Sequence, residues 1–226
     1  NGGAPMMERL SELPQITQAQ RQAILDAQRT EDAHRALLSS LPAMNAVQVG
    51  GVPSTEVLPA SFSVVAWNLE RCLFPDASAA HLDRVAPDVV LLSEMDHGMA
   101  RTKQRHTTAD MADAMGMTYA YGVEFFEMGL GGETEMAWCD DDFNARGWHG
   151  NAVLSKVPFE RATMFRLDDH GHWFSPEHGA DPGQPRVGGR NAIAAVLPTK
   201  RGPVCVISTH LESNAGPDHR AMQFRR

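Results

Sequence analysis

Three apolar runs in this sequence end on side chains able to handle a metal ion or a phosphate. The first, Val64-Val65-Ala66-Trp67-Asn68-Leu69-Glu70-Arg71, turns polar at its end. Side chains alternate along a strand, so Asn68 and Glu70 face the same side; the alternative is a strand capped by a polar turn. The second, Pro87-Asp88-Val89-Val90-Leu91-Leu92-Ser93-Glu94-Met95-Asp96, starts a buried strand at Pro87 and ends it on Glu94. A carboxylate at the end of such a run needs a cation or hydrogen-bond donors to keep its charge. A hard divalent ion such as Mg2+ supplies that, since it binds through one or two carboxylates plus waters and substrate phosphate; a surface pair with Arg or Lys is the alternative. The third, Val204-Cys205-Val206-Ile207-Ser208-Thr209-His210-Leu211-Glu212, ends on His210, with Glu212 two residues on. Imidazole there can stabilise or protonate a phosphoryl oxygen or orient a neighbouring acid, although a lone strand-end His is more often structural.

These residues need a scaffold to hold them. Apolar stretches at residues 62–67, 89–92, 152–154, 192–197 and 204–208 read as strands, with helical candidates at 77–85 and 107–115. Pro158, Gly183, Pro185, Gly188, Gly189, Gly202 and Pro203 punctuate the second half, where strand follows strand. A mixed α/β protein with sheets covered by helices fits this better than an all-β or an alternating βαβ fold. Upstream, residues 13–41 place Ile16, Ile24, Leu25, Leu37, Leu38 and Leu41 between Pro14 and Pro42, as one or two amphipathic helices would. Residues 45–60 read as a linker. The expected division is therefore a helical extension and linker over 1–60 and the main domain over 61–226. Two polar stretches, 128–149 and 166–189, are too long for ordinary connections and read as functional loops or mobile insertions.

With 226 residues, 42% of them hydrophobic and 21% charged, the chain can bury one large core. Its formal net charge of -8 gives no bulk attraction to nucleic acid, although a local basic groove can coexist with an acidic whole. No stretch approaches the roughly 20 apolar residues that span a bilayer. The start at Asn1-Gly2-Gly3, without Met, leaves room for a removed leader or a cloning scar, so cytoplasmic and secreted locations both stay open. Cys72, Cys139 and Cys205 lie far apart without CxxC spacing, which argues against a disulfide framework or a zinc ribbon and suggests core thiols. The pattern is silent on oligomeric state.

Taken together, the segments resemble the endonuclease/exonuclease/phosphatase superfamily, which includes DNase I-like nucleases, abasic-site endonucleases, sphingomyelinases, inositol polyphosphate 5-phosphatases and deadenylases. Val65-Ala66-Trp67-Asn68 is similar to the family's first metal-site strand, and residues 87–94 to its "PDVVLLQE" strand with Ser93 in place of Gln. Gly150-Asn151-Ala152-Val153-Leu154-Ser155 is similar to its "GNAILS" strand. The run from Gly189-Arg190-Asn191 to Val196 looks like the strand that opens with Arg, and Ser208-Thr209-His210-Leu211 like the "THL" strand; Arg220 and Gln223 have "RxxQ" spacing. The resemblance covers about residues 62–226.

What the resemblance implies is a four-layered α/β/β/α sandwich of two mostly antiparallel sheets flanked by helices, and a hydrolase of phosphoester bonds dependent on Mg2+ or Mn2+. It implies that Glu94 is the principal metal ligand and catalytic, that Asn68 orients the metal shell or phosphate, and that His210 contacts the scissile phosphate. Arg190 would brace the site or touch a neighbouring phosphate, with a surface ion pair as its alternative; Asn151 would support the site, and Asn214 would contact substrate. Glu70 is an extra acid, read as a solvated strand end. The family's "GDxN" and terminal "SDH" segments do not occur here, and Asp218-His219 precedes the "RxxQ" helix, so the chain is expected to be C-terminally incomplete. The substrate stays open between nucleic acid and a small or lipid phosphoester, the acidic charge tilting slightly away from duplex DNA. The rival function is a non-catalytic module binding phosphate or nucleic acid, or an inactive fragment. Finally, His170, His172 and His178 sit beside Asp168, Asp169, Glu177 and Asp181. A polar loop at the mouth of the site is the first reading there, and a transition-metal site the second.

Overall fold

The computed structural model describes residues 8–176 and 185–226. The first elements are β1 (Glu8–Leu10), α1 (Gln18–Asp26), α2 (Glu31–Ser40), β2 (Ala46–Gly51), β3 (Val64–Arg71), α3 (Pro75–Asp83), β4 (Val89–His97) and α4 (Thr107–Met115). Then follow β5 (Thr118–Glu127), the single turn α5 (Glu133–Met136), β6 (Trp148–Ser155), β7 (Arg161–Arg166), β8 (Arg186–Gly188), β9 (Asn191–Leu197), β10 (Val204–Thr209) and α6 (Pro217–Phe224). Helix starts follow local chemistry. The Thr17 side chain and Gln20 form a reciprocal capping box on α1, and Thr30 caps α2, with Glu31 and Asp32 in its first turn. Gly116, at φ 60°, ends α4 in the left-handed conformation.

The strands form a seven-stranded sheet, in the order β1-β2-β5-β6-β4-β3 with β8 also on β5, and a three-stranded sheet, β10-β9-β7. Pairing is antiparallel except for β1 with β2 and β3 with β4. The two sheets pack face to face through Val89, Ala120 and Val153 on one side and Ala162, Met164, Ile193 and Ala195 on the other. The opposite face of the larger sheet, with Val90, Leu92, Tyr121 and Trp148, buries Leu82 of α3 and Met111 and Ala112 of α4. Successive residues of β4 thus serve two cores, which is why its sequence is a continuous apolar run rather than an alternation. Gly122 of β5 lies at a close approach of the two sheets: a Cβ there would fall on Ile193 Cδ1 and Met164 Sδ.

The mixed α/β class, the strands over the expected runs and the helices near 77–85 and at 107–115 agree with the sequence. Three expectations need correction. Residues 46–51 are not linker but β2, paired with β1 and β5, so the sheet draws on residues well before Ser61. The core thiol description holds for Cys72, whereas Cys139 is half-buried and Cys205 exposed. The central strand β5 was not anticipated at all. Among the described residues, no helix is long and apolar enough to cross a membrane.

Candidate active site

Glu94 stands on an irregularity that both neighbours of β4 register. The pairing with β6 shifts between Leu92 and Met95, and that with β3 between Asn68 and Arg71. Glu94 itself has φ 59°. Left-handed backbone costs a non-glycine residue roughly 1–2 kcal/mol, and bulges of this kind re-aim a side chain. Here the carboxylate is held on both oxygens. Asn68 Nδ2 donates to Oε1 at 2.9 Å, the Arg71 guanidinium donates to Oε2, and His210 Nδ1 lies 3.8 Å from Oε1. Burial pushes the Glu94 carboxyl up, but the Asn68 hydrogen bond and the positive surroundings, His149 and Arg71 among them, outweigh it and leave the group below the usual range.

His210 follows β10, and its Nδ1 receives a hydrogen bond at 2.8 Å from Arg190, which precedes β9. A guanidinium only donates, so Nδ1 is the lone-pair nitrogen and Nε2 carries the proton of the neutral ring. Burial, then the Arg190 charge, pushes the imidazole below its ordinary value. Arg190 is itself buried, bonded to Glu212 at 3.0 Å and Glu124 at 3.1 Å, with Phe125 under its guanidinium at 5.2 Å. Trp173 Nε1 donates to the same Glu212 at 2.9 Å.

Beneath Glu94 runs a second network. His149 Nδ1 lies 2.8 Å from the fully buried Asp96, and Arg101 clamps that carboxylate with two bonds of 2.7 and 2.9 Å. Arg101 also reaches Glu127 at 3.1 Å and Glu135 at 2.9 Å, and Glu135 in turn accepts from Arg71 at 3.0 Å. Burial raises the Glu127 carboxyl, yet the charges of Arg101, Arg186, His149 and Arg71 hold it well below the usual range. A chain of charge-assisted bonds therefore connects His149 to Glu94 and fixes the floor before any ligand arrives. Above it opens a cleft of about 210 Å³, whose lining includes Arg71, Glu94, His149, Arg186, Arg190 and His210.

Of the residues singled out in the sequence, Asn68, Glu94, His210 and Arg190 form one hydrogen-bonded or closely spaced group, and Asn214 lines the same cleft. Asn151 does not line it. That residue is fully buried, donating to Asn191 Oδ1 at 2.7 Å and Glu124 Oε1 at 3.2 Å, and so touches the acid that anchors Arg190. Glu70 is exposed and its backbone N–H bonds Asn68 Oδ1 at 2.9 Å, a local Asx turn. His170 approaches Asp168 and His219 rather than Glu94, while His178 lies outside the described residues. The sequence reading missed Glu124, Glu127, Arg101, His149 and Trp173. Two acids inside a strand as aromatic as Tyr119-Ala120-Tyr121-Gly122-Val123-Glu124-Phe125-Phe126-Glu127 were a usable signal, because buried carboxylates require partners.

No protein-family model and no curated protein matches the sequence. Among solved structures, a protein from Beutenbergia cavernae DSM 12333 described as an endonuclease/exonuclease/phosphatase superposes with a TM-score of 0.52 at 18% identity, over 73% of this chain. The fold is that of an endonuclease/exonuclease/phosphatase. Proteins of that description from Leptotrichia buccalis C-1013-b (TM-score 0.40, 10% identity, 73% of this chain and 62% of that one) and Bacteroides vulgatus (0.38, 16%, 75% and 57%) also match. The chain spans 42% of the length of the Beutenbergia cavernae protein. In this chain Glu94 and Asn68 stand on the seven-stranded sheet, Arg190 and His210 flank strands of the three-stranded one, and the cleft is lined by Glu94, Arg190 and His210 from both.

Proposed function

We propose that the protein hydrolyses a phosphodiester or phosphomonoester by in-line attack of water, with Mg2+ or Mn2+ at Glu94 and Asn68. The observation that carries this is the convergence of a depressed, half-buried carboxylate and a neutral Nε2-protonated imidazole in one cleft walled by Arg71, Arg186 and Arg190. The donor set suits a hard ion. It offers one carboxylate with a carboxamide beside it, and the remaining positions fall to water and phosphate. Such an ion, when bound, neutralises charge developing on the phosphoryl oxygens. Asn68 orients the Glu94 carboxylate through its 2.9 Å bond. His210 donates from Nε2 to a non-bridging phosphoryl oxygen, and Arg190 keeps that tautomer in place. Arg186, 3.6 Å from Glu127, contributes positive potential on the side wall, and the exposed Asn214 meets the substrate at the rim.

The same reading takes the fold as a four-layered α/β/β/α sandwich of two sheets flanked by helices. Support comes from β3 and β10, which are edge strands among the described residues and flank a groove of about 270 Å³ lined by Ala66, Asn68, Ile207 and Thr209. Phe165 and Ile207, on the outer face of the three-stranded sheet, are 53% and 54% exposed.

Turnover of bis(p-nitrophenyl) phosphate with and without EDTA tests the proposal. Hydrolysis should require the metal, and Glu94→Gln should lower kcat/KM by about 100-fold or more, the size of a several-kcal/mol loss of charge stabilisation. Metal-independent turnover, or full activity in Glu94→Gln, would sink it. The Arg71–Glu94 pair favours one other reading, a non-catalytic phosphate-binding cleft in which Arg71 already neutralises Glu94. That protein would bind inorganic phosphate by calorimetry and turn over nothing with any divalent ion.

A further inference from the structure

The loop after β7 and the first turn of α6 bring together three groups that the hydrolytic cleft does not use. Asp168 is buried at 2% exposure, and its Oδ1 has no hydrogen-bond partner. His170 Nδ1 stands 3.8 Å from that Oδ1, and His219 Nε2 stands 3.6 Å from Oδ2. One ligand atom from each residue falls within 4.8 Å of the others. These separations are too long for hydrogen bonds. The two contacts end on different oxygens of Asp168 and are a few tenths of an ångström longer than the roughly 3.3 Å between neighbouring ligand atoms around a tetrahedral ion with bonds near 2.0 Å, so a bound ion would draw the three side chains together.

Gln223 prepares the ligands. Its Oε1 accepts from the Glu212 N–H at 2.9 Å, which fixes the amide so that Nε2 donates to Asp168 Oδ2 and lies 3.3 Å from His219 Nε2. Because the amide nitrogen only donates, Nε2 is the acceptor nitrogen of the His219 ring, and an ion that takes this lone pair replaces the 3.3 Å Gln223 contact while Gln223 stays on Asp168. An orienting hydrogen bond to a ligating carboxylate is what metal sites ordinarily supply from the surrounding shell. A buried carboxylate oxygen without a partner is otherwise costly.

We propose that Asp168, His170 and His219 bind a divalent transition metal, with Zn2+ as the best match, at a site separate from Glu94. Two imidazoles and one carboxylate select a borderline ion over Mg2+. The fourth position is left to water or to His172, whose ring centroid lies 6.3 Å from that of His170 and 6.1 Å from that of His219. The ion's role is structural. It staples the loop after β7 to α6, and that loop carries Trp173, which braces Glu212 and through it Arg190.

The test is Zn2+ binding to chelator-stripped protein, read by competition with a chromophoric chelator, with Co2+ visible absorption reporting coordination. Wild type should bind one equivalent and give a tetrahedral Co2+ spectrum. His170→Ala and His219→Ala, both at half-buried positions, should each bind at least about 100-fold more weakly with unchanged far-UV circular dichroism. Glu94→Gln should bind Zn2+ as wild type does, whatever becomes of hydrolysis. Equal binding by wild type and the His170→Ala/His219→Ala double variant would overturn the site, as would no binding by wild type or loss of binding in Glu94→Gln alone.

Discussion

At position 94 the backbone, with φ 59°, suits glycine, while the cleft uses a carboxylate. That conflict is measurable once the carboxylate is removed. In a regular strand glycine is less stable than alanine by about 0.5–1 kcal/mol; here the order should reverse. Glu94→Gly should exceed Glu94→Ala in stability by about 1 kcal/mol, read from urea midpoints at equal slope, and an alanine variant at least as stable would refute the strain. Glu212 makes a second residue-scale prediction. Burial raises its carboxyl, but hydrogen bonds and charge from Arg190, with the Trp173 and Asn214 N–H groups, pull it from 4.5 down to about 2. A depressed carboxyl stabilises the fold fully above its ordinary value and loses that contribution as pH falls towards its folded value. Unfolding free energy should therefore decline between about pH 5 and 2. In Glu212→Gln, less stable at neutral pH, that slope should be shallower; an unchanged slope would exclude Glu212 as its source.

Among the elements, β5 carries the heaviest duties. It pairs with β2, β6 and β8, it supplies Glu124 and Glu127, and through Gly122 it admits the second sheet. Gly122→Val should cost about 1–3 kcal/mol by overpacking against Ile193 and Met164, seen as a lower urea midpoint, and a neutral effect would mean the sheets are not this close. Yet β5, like β1, β7 and β8, was not read from the sequence. Strands β4, β9 and β10 announce themselves because apolar runs end abruptly on Glu94, begin at Arg190 or end before His210. In β5 the glycine and two acids interrupt the run, and what makes those acids tolerable lies elsewhere in the chain, on Arg101 and Arg190. In the same way β2 looked like linker because Gly50, Gly51 and Gln48 conceal it; Gln48 is accommodated by Tyr119 Oη, 3.1 Å away across the sheet. Local pattern reveals strands whose burial is apolar, and hides those whose burial depends on distant partners.

For the whole molecule, the decisive feature is that neither sheet holds the cleft alone. Asn68, Glu94 and His149 belong to the seven-stranded sheet, while Arg190 and His210 flank strands of the three-stranded one. Arg190 crosses between them to Glu124, and Ser208 Oγ crosses to the Leu92 carbonyl at 2.9 Å. Loosening the smaller sheet should then separate His210 from Glu94 before the helix-covered core around Leu92 and Trp148 gives way. In a urea titration, any metal-dependent hydrolysis should disappear at a lower concentration than the far-UV circular dichroism signal; coincident curves would show that the sheets part only with global unfolding. If hydrolysis is lost first, the catalytic signal acts as a strain gauge across the seam, registering slippage between two sheets that circular dichroism still counts as folded.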